Sequence, residues 1–114
     1  MSNFATNQCR SVGAHLTTTS NTTIFTAGQY TYCIGIRCVN ITGTAATVSI
    51  TWNSTAAADS YKLVHQQSIP GNLYTYFPLE GLVLAEGDTI KVQAGTSNAI
   101  DVTLTVVEWP GRSG

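Results

Sequence analysis

The sequence predicts an all-β protein, a single β-sandwich of about eight short strands, jelly-roll-like or immunoglobulin-like. Three observations carry this. From Thr44 to Trp109, apolar and polar residues alternate in short runs and never settle into a helical period, the pattern of sheets with one buried face. Turn residues such as Pro70-Gly71, Gly87-Asp88 and Ser97-Asn98 punctuate these runs, as short antiparallel strands require. At 114 residues the chain is long enough for one core and too short for a second.

Taken in order, Met1 to Arg10 is polar and aperiodic, so residues 1–10 are expected to form a flexible arm ahead of a sandwich over 11–109, with 110–114 as a tail. Val12, Ala14 and Leu16 alternate with Gly13 and His15 in a first strand. A Thr, Ser and Asn run from Thr17 to Thr23 ends at Ile24-Phe25, and Ala27-Gly28 turns the chain. From Tyr30 to Val39, Tyr32, Ile34, Ile36 and Cys38 are expected to share a face, and Gly35 opposite them marks a bulge or a close backbone approach. Ala46, Val48, Ile50 and Trp52 form one face of the next strand, and Asn53 to Ser60 reads as a surface loop. Tyr61, Leu63 and His65 are expected on one face of the following strand. Tyr74, Tyr76 and Phe77 begin an aromatic strand that Pro78 should end or place at an edge. Leu82 to Leu84, a turn over Ala85 to Asp88, and Thr89 to Ala94 form strand, turn and strand, with Ile90 and Val92 inward. The last strand is the clearest: Ile100, Val102, Leu104 and Val106 point one way, Asp101, Thr103 and Thr105 the other.

Only 10% of residues are charged, against roughly 25% in ordinary domains, so the polar surface must be built from Thr, Ser, Asn and Gln. Such a surface suits a protein packed against neighbours. Arg10, Arg37, Lys62, Lys91 and Arg112 form no basic run, which argues against nucleic acid and anionic membrane as partners. No segment approaches the ~20 apolar residues of a membrane span, and Met1 to Arg10 lacks the features of a signal peptide. The sequons at Asn21, Asn40 and Asn53 are therefore expected to be coincidences of a Thr-rich chain. The three cysteines, Cys9, Cys33 and Cys38, match no metal-binding spacing. On one regular strand Cys33 and Cys38 would lie about 16 Å apart on opposite faces, too far for a disulfide. They are expected to be free thiols of a reducing cytoplasm, the alternative being a pairing of Cys9 with one of the other two, within or between chains.

Catalytic signatures are absent: there is no Gly-x-Ser-x-Gly, phosphate loop or His-Glu-x-x-His. His15 and His65 have no local nucleophile beside them. Glu80, Glu86 and Asp88 gather around one turn without calcium-loop spacing, and Gly87-Asp88 is explained by turn geometry and solvation. No enzyme activity, cofactor or metal is expected. Trp52, Tyr74, Tyr76 and Phe77 fit a core or an oligomer interface, or the platform of a carbohydrate-binding module. Trp109, followed by Pro110 and a short Gly/Arg/Ser tail, has the form of an anchor into a neighbouring subunit.

The segments Asn40 to Ile50, Tyr61 to Val64, Ser68 to Gly71, Leu79 to Val92 and Asn98 to Glu108 together resemble small virion proteins of tailed bacteriophages, β-sandwiches that decorate capsids or ring the neck. The resemblance spans about Ser11 to Glu108 and implies a non-enzymatic virion protein assembled in the host cytoplasm. It implies a homo-oligomeric capsid decoration or cement protein bound across major capsid subunits, or else a neck, collar or tail-associated protein. Arg10, Trp109 and Arg112 are the expected contacts with capsid or sister subunits.

Overall fold

The computed structural model describes residues 8–108, and nine strands lie among them: β1 (Gln8–Leu16), β2 (Thr22–Thr26), β3 (Thr31–Asn40), β4 (Ala46–Ser54), β5 (Asp59–Ile69), β6 (Tyr74–Pro78), β7 (Val83–Leu84), β8 (Thr89–Ala94) and β9 (Ile100–Glu108). One sheet runs β1-β9-β3-β6, with β7 also paired to β3, and the other runs β2-β8-β4-β5. Every pairing is antiparallel.

The pairings decide between the two sandwiches that the alternation left open. β4 pairs with β5, β3 with β6, β2 with β8 and β1 with β9, as in one long hairpin. The hairpin then rolls up, so that β9 also meets β3 and β8 meets β4. That is a jelly roll; an immunoglobulin sandwich would seat its first two strands side by side in one sheet. The roll also sorts the connections. Those after β1, β3, β5 and β8 gather at one end of the sandwich, and those after β2, β4 and β7 at the other.

The core follows the expected alternation where strands are regular. Ile100, Val102, Leu104 and Val106 of β9 are all buried, as are Ala46, Val48 and Ile50 of β4. Pro78 ends β6, an edge strand, where its missing N–H leaves no interior ladder bond unmade.

Strand β3 corrects the expected facing. Its register with β9 slips between Cys33, opposite Val106, and Gly35, opposite Thr105. The extra residue resets the alternation, so Cys33 points inward before the bulge and Ile36 and Cys38 point inward after it, each 0% exposed. Tyr32 and Ile34 are only half-buried. The two thiols therefore share the core face rather than opposing one another. They still face Val106 and Val102 of β9, four residues and about 13 Å apart along that strand, so no bridge joins them. All three cysteines are free, and burial pushes Cys33 up to about 11 and Cys38 up to about 12. Native protein treated with iodoacetamide should accordingly take up one label, at the exposed Cys9, and two more only after denaturation. Peptide mass spectrometry checks this; a native Cys33–Cys38 linkage would contradict the bulge.

Three boundaries also differ. β1 starts at Gln8, so the expected arm over 1–10 gives up its last three residues to pairing with Val106, Val107 and Glu108. The expected loop over Asn53 to Ser60 is the end of a hairpin: β4 continues to Ser54 and β5 begins at Asp59. Polar bonds build it, with Ser60 Oγ donating to Asn53 Oδ1 at 2.7 Å and Ala57 N to Ser54 Oγ at 3.2 Å. Register slips in the β4–β5 pair separate His65, exposed, from the half-buried Leu63 and Val64, so the expected Tyr61, Leu63 and His65 face does not form.

Two buried polar side chains hold the ends. Asn40, 0% exposed, donates from Nδ2 to the carbonyls of Thr44 (2.8 Å) and Ile69 (2.9 Å), and its Oδ1 accepts from Thr42 N and Thr42 Oγ1. With its amide engaged in this way, the Asn40 sequon is closed to glycosylation in the folded chain. Asp88 plays the same part at the opposite end.

Candidate assembly surface

Of the three expected contacts, Trp109 and Arg112 lie outside the described residues. Arg10 falls in β1 on the alternation of Val12, Ala14 and Leu16, yet at the end of the strand its side chain stays half exposed. Its Nε donates to Glu108 Oε1 at 2.7 Å and its Nη2 to Oε2 at 3.2 Å, while the guanidinium lies 5.7 Å from the centre of the Phe25 ring. The hydrogen bond and charge of Glu108 raise the Arg10 pKa further. This fork-to-fork pair ties the start of β1 to the end of β9, with the Arg10 side chain half exposed and Glu108 nearly buried.

Asp88 departs from the solvated turn that its sequence context suggested. It is 2% exposed, and four donors converge on its carboxylate: Thr55 N (3.0 Å) and Thr55 Oγ1 (2.9 Å) on Oδ1, Trp52 Nε1 (3.2 Å) and Ala85 N (3.1 Å) on Oδ2. Burial alone would raise its pKa, but the hydrogen bonds outweigh burial and hold it below its ordinary value. Its backbone joins in, since Ala27 N donates to Asp88 O and Gly87 N to Ala27 O. The connections after β2, β4 and β7 are thereby fastened together. Glu80 and Glu86 are exposed, and Glu86 joins the clamp only through its main-chain carbonyl, 3.5 Å from Thr55 Oγ1.

The aromatic candidates divide between the two sheets. Trp52 belongs to the β2-β8-β4-β5 sheet, turned toward Asp88 and packed on Tyr61 at 5.3 Å between ring centres. Phe77 packs against the core, whereas Tyr74 and Tyr76 alternate with it and are 59% and 45% exposed. The latter two stand on the outer face of the β1-β9-β3-β6 sheet, where Tyr76 is opposite Arg37 and Tyr74 opposite Val39. Across the same face, His15 Nδ1 and Asp101 Oδ1 meet at 2.7 Å between directly paired residues of β1 and β9. The hydrogen bond and charge of Asp101 raise the His15 pKa. The pair is exposed on the outer face of the sheet, the setting of a surface link.

Sequence reasoning missed the exposed apolar residues of the loop end. Ile41 and Leu73 are 55% and 54% exposed, and the roll brings them together: Asn40 N donates to Leu73 O, and Ile41 N to Ala99 O. Beside them Leu16, Ile41 and Ile100 line a hollow of ≈ 260 Å³, with Asn98 and Asp101 at its side. Leu73 and Tyr74 then continue the patch onto the β6 edge. The only available signal was that each residue borders a turn, which does not distinguish an exposed apolar side chain from a buried one.

No protein-family model matches the sequence, and no curated protein matches it. Solved structures match in fold. A chain of the T13 viral particle of infectious bursal disease virus aligns with a TM-score of 0.57 at 7% identity, over 90% of this chain and 31% of that one. The virus's VP2 subviral particle gives 0.54 at 11% identity, over 93% and 34%, and a Gx strain structure gives 0.51 at 9%, over 92% and 34%. This chain thus spans about a third of the length of those chains, and at such identity the likeness is one of fold: nearly the whole of this protein is a β-sandwich similar to one part of a viral-particle subunit.

Proposed function

We propose that this protein is a non-enzymatic structural component of a virus particle, a decoration subunit that binds the outside of a tailed-bacteriophage capsid. The observation that carries this is the jelly-roll connection order, which extends over the whole described chain and is similar to chains from viral particles. The phage assignment is supported by the sequence resemblance over Ser11 to Glu108, and attachment to neighbours is supported by the low charge content. The loop end that carries Ile41 and Leu73 is the attachment surface, because exposed apolar groups at the rim of a hollow supply the anchors that dominate interfaces. Arg10 is left out of this contact because Glu108 of its own chain engages it, and trimming the chain through Arg10 would remove the first three residues of β1 along with the arm.

The test is co-sedimentation with capsids that lack the protein. Wild-type chain should bind to a saturating copy number and raise the temperature at which the shells release their contents. Ile41→Asp and Leu73→Asp, both at exposed positions, should melt as wild type does yet bind at least about tenfold more weakly, the scale of losing an interface anchor. Absence of saturable binding by the wild type would overturn the function, and full binding by both variants would overturn the choice of surface.

A further inference from the structure

The outer face of the β1-β9-β3-β6 sheet carries a second feature that attachment through the loop end does not use. Arg37 stands opposite Tyr76 of β6 and Thr103 of β9, and no acidic side chain pairs with it among the described residues. Its guanidinium instead lies 4.9 Å from the centre of the Tyr74 ring, which holds a charge in place without neutralising it. Tyr76 is laid across β3, where its hydroxyl donates to Ile34 O at 3.4 Å. It fits there because residue 35 is glycine: a Cβ at Gly35 would fall on the phenol ring itself. Arg37, Tyr76, Thr103 and Thr105 line a half-open hollow of ≈ 260 Å³, just below the roughly 300 to 1,000 Å³ of sites for larger ligands and of the size of a single ring.

We propose that this hollow binds a carboxylate-bearing sugar unit of the hexuronate type within a surface glycan. Arg37 receives the carboxylate in its planar fork, the hydroxyls of Thr103 and Thr105 meet ring hydroxyls, and Tyr76 offers its ring to the apolar C–H face of the sugar. An Asp or Glu side chain of a protein partner would satisfy Arg37 but leave the ring and both threonines unused, so the lining favours the sugar. The asymmetry between the two sheet arginines supports the same assignment. Arg10 is bound to a carboxylate of its own chain, whereas Arg37 is held ready for one that no other described residue supplies.

Titration of the full chain with trigalacturonic acid, followed by NMR shifts of the β3, β6 and β9 amides, tests the proposal. Binding should map to these strands. Arg37→Gln, at an exposed position, should weaken it at least about tenfold, as expected for loss of a charge-assisted pair. Gly35→Ala, which displaces the Tyr76 ring and leaves every charge in place, should weaken it as well. The neutral counterpart galactotriose should bind at least about tenfold more weakly than the acidic trisaccharide. No shifts with the acidic trisaccharide, or equal shifts in the Arg37→Gln chain, would overturn the site. Equal affinity for triglutamate would overturn the sugar and leave a docking point for acidic peptide. None of these outcomes depends on capsid co-sedimentation, so this proposal and the decoration role stand or fall separately.

Discussion

Leu104→Asp abolishes folding of the chain. Leu104 is 0% exposed at the middle of β9, the strand that bridges β1 and β3, and it lies opposite Val12 on one side and Ile36 on the other. Removing a buried leucine costs about 2 to 5 kcal/mol in lost packing alone. An unpaired carboxylate at the same place costs several more, against a total stability of about 5 to 15 kcal/mol for an ordinary domain. The expected result is loss of the cooperative melting transition in circular dichroism and of dispersed amide resonances. Thr103→Asp supplies the contrast, since the neighbouring position is exposed and faces Arg37. It should change stability by no more than about 0.5 kcal/mol. If Leu104→Asp instead melted like the wild type, β9 would be inverted and its apolar face would be an assembly surface.

That contrast rests on the part of the fold that was plainest in the sequence. Alternation with a period of two is a local property, so β4 and β9 could be read directly from Ala46 to Trp52 and from Ile100 to Val106. The jelly roll could not, because it depends on which distant strands pair: β1 with β9 and β2 with β8 are joined across most of the chain. Gly35 gives the intermediate case. A glycine inside a strand announced a bulge or a close approach, and both are present. Yet counting faces straight through the bulge put Cys33 and Cys38 on opposite sides, since one extra residue inverts all that precedes it. The candidate surfaces were hardest to see. Arg10 sits in an aperiodic polar stretch, and its partner Glu108 is 98 residues away. Arg37 becomes notable only when the β3–β6 register places Tyr76 beside it and the missing side chain of Gly35 leaves a seat for the ring.

Asp88→Asn lowers stability by about 3 to 5 kcal/mol, although it changes one atom and preserves shape. The carboxylate accepts from four donors, two on each oxygen. An asparagine keeps one accepting oxygen and turns an NH₂ toward the other pair. If the amide faces Trp52 and Ala85, the indole and a backbone N–H lose their acceptor; if it faces Thr55, a backbone N–H does, and the hydroxyl must rotate to accept. Each buried donor left unmade costs about 1 to 3 kcal/mol, and the surviving bonds lose the strengthening that charge gave them. The expected fall in melting temperature exceeds about 10 °C. Trp52→Phe, which removes a single donor, should cost about 1 kcal/mol and sets the scale for the larger loss. The pH dependence has a definite sign. Because the folded state holds the Asp88 pKa below its ordinary 3.8, the stabilisation is complete above that value and disappears as pH falls through the folded pKa. Wild type and Asp88→Asn should therefore differ most in melting temperature near neutral pH and converge in acid. A constant difference down to the acid end would show that the ionised carboxylate is not what fastens the connections after β2, β4 and β7.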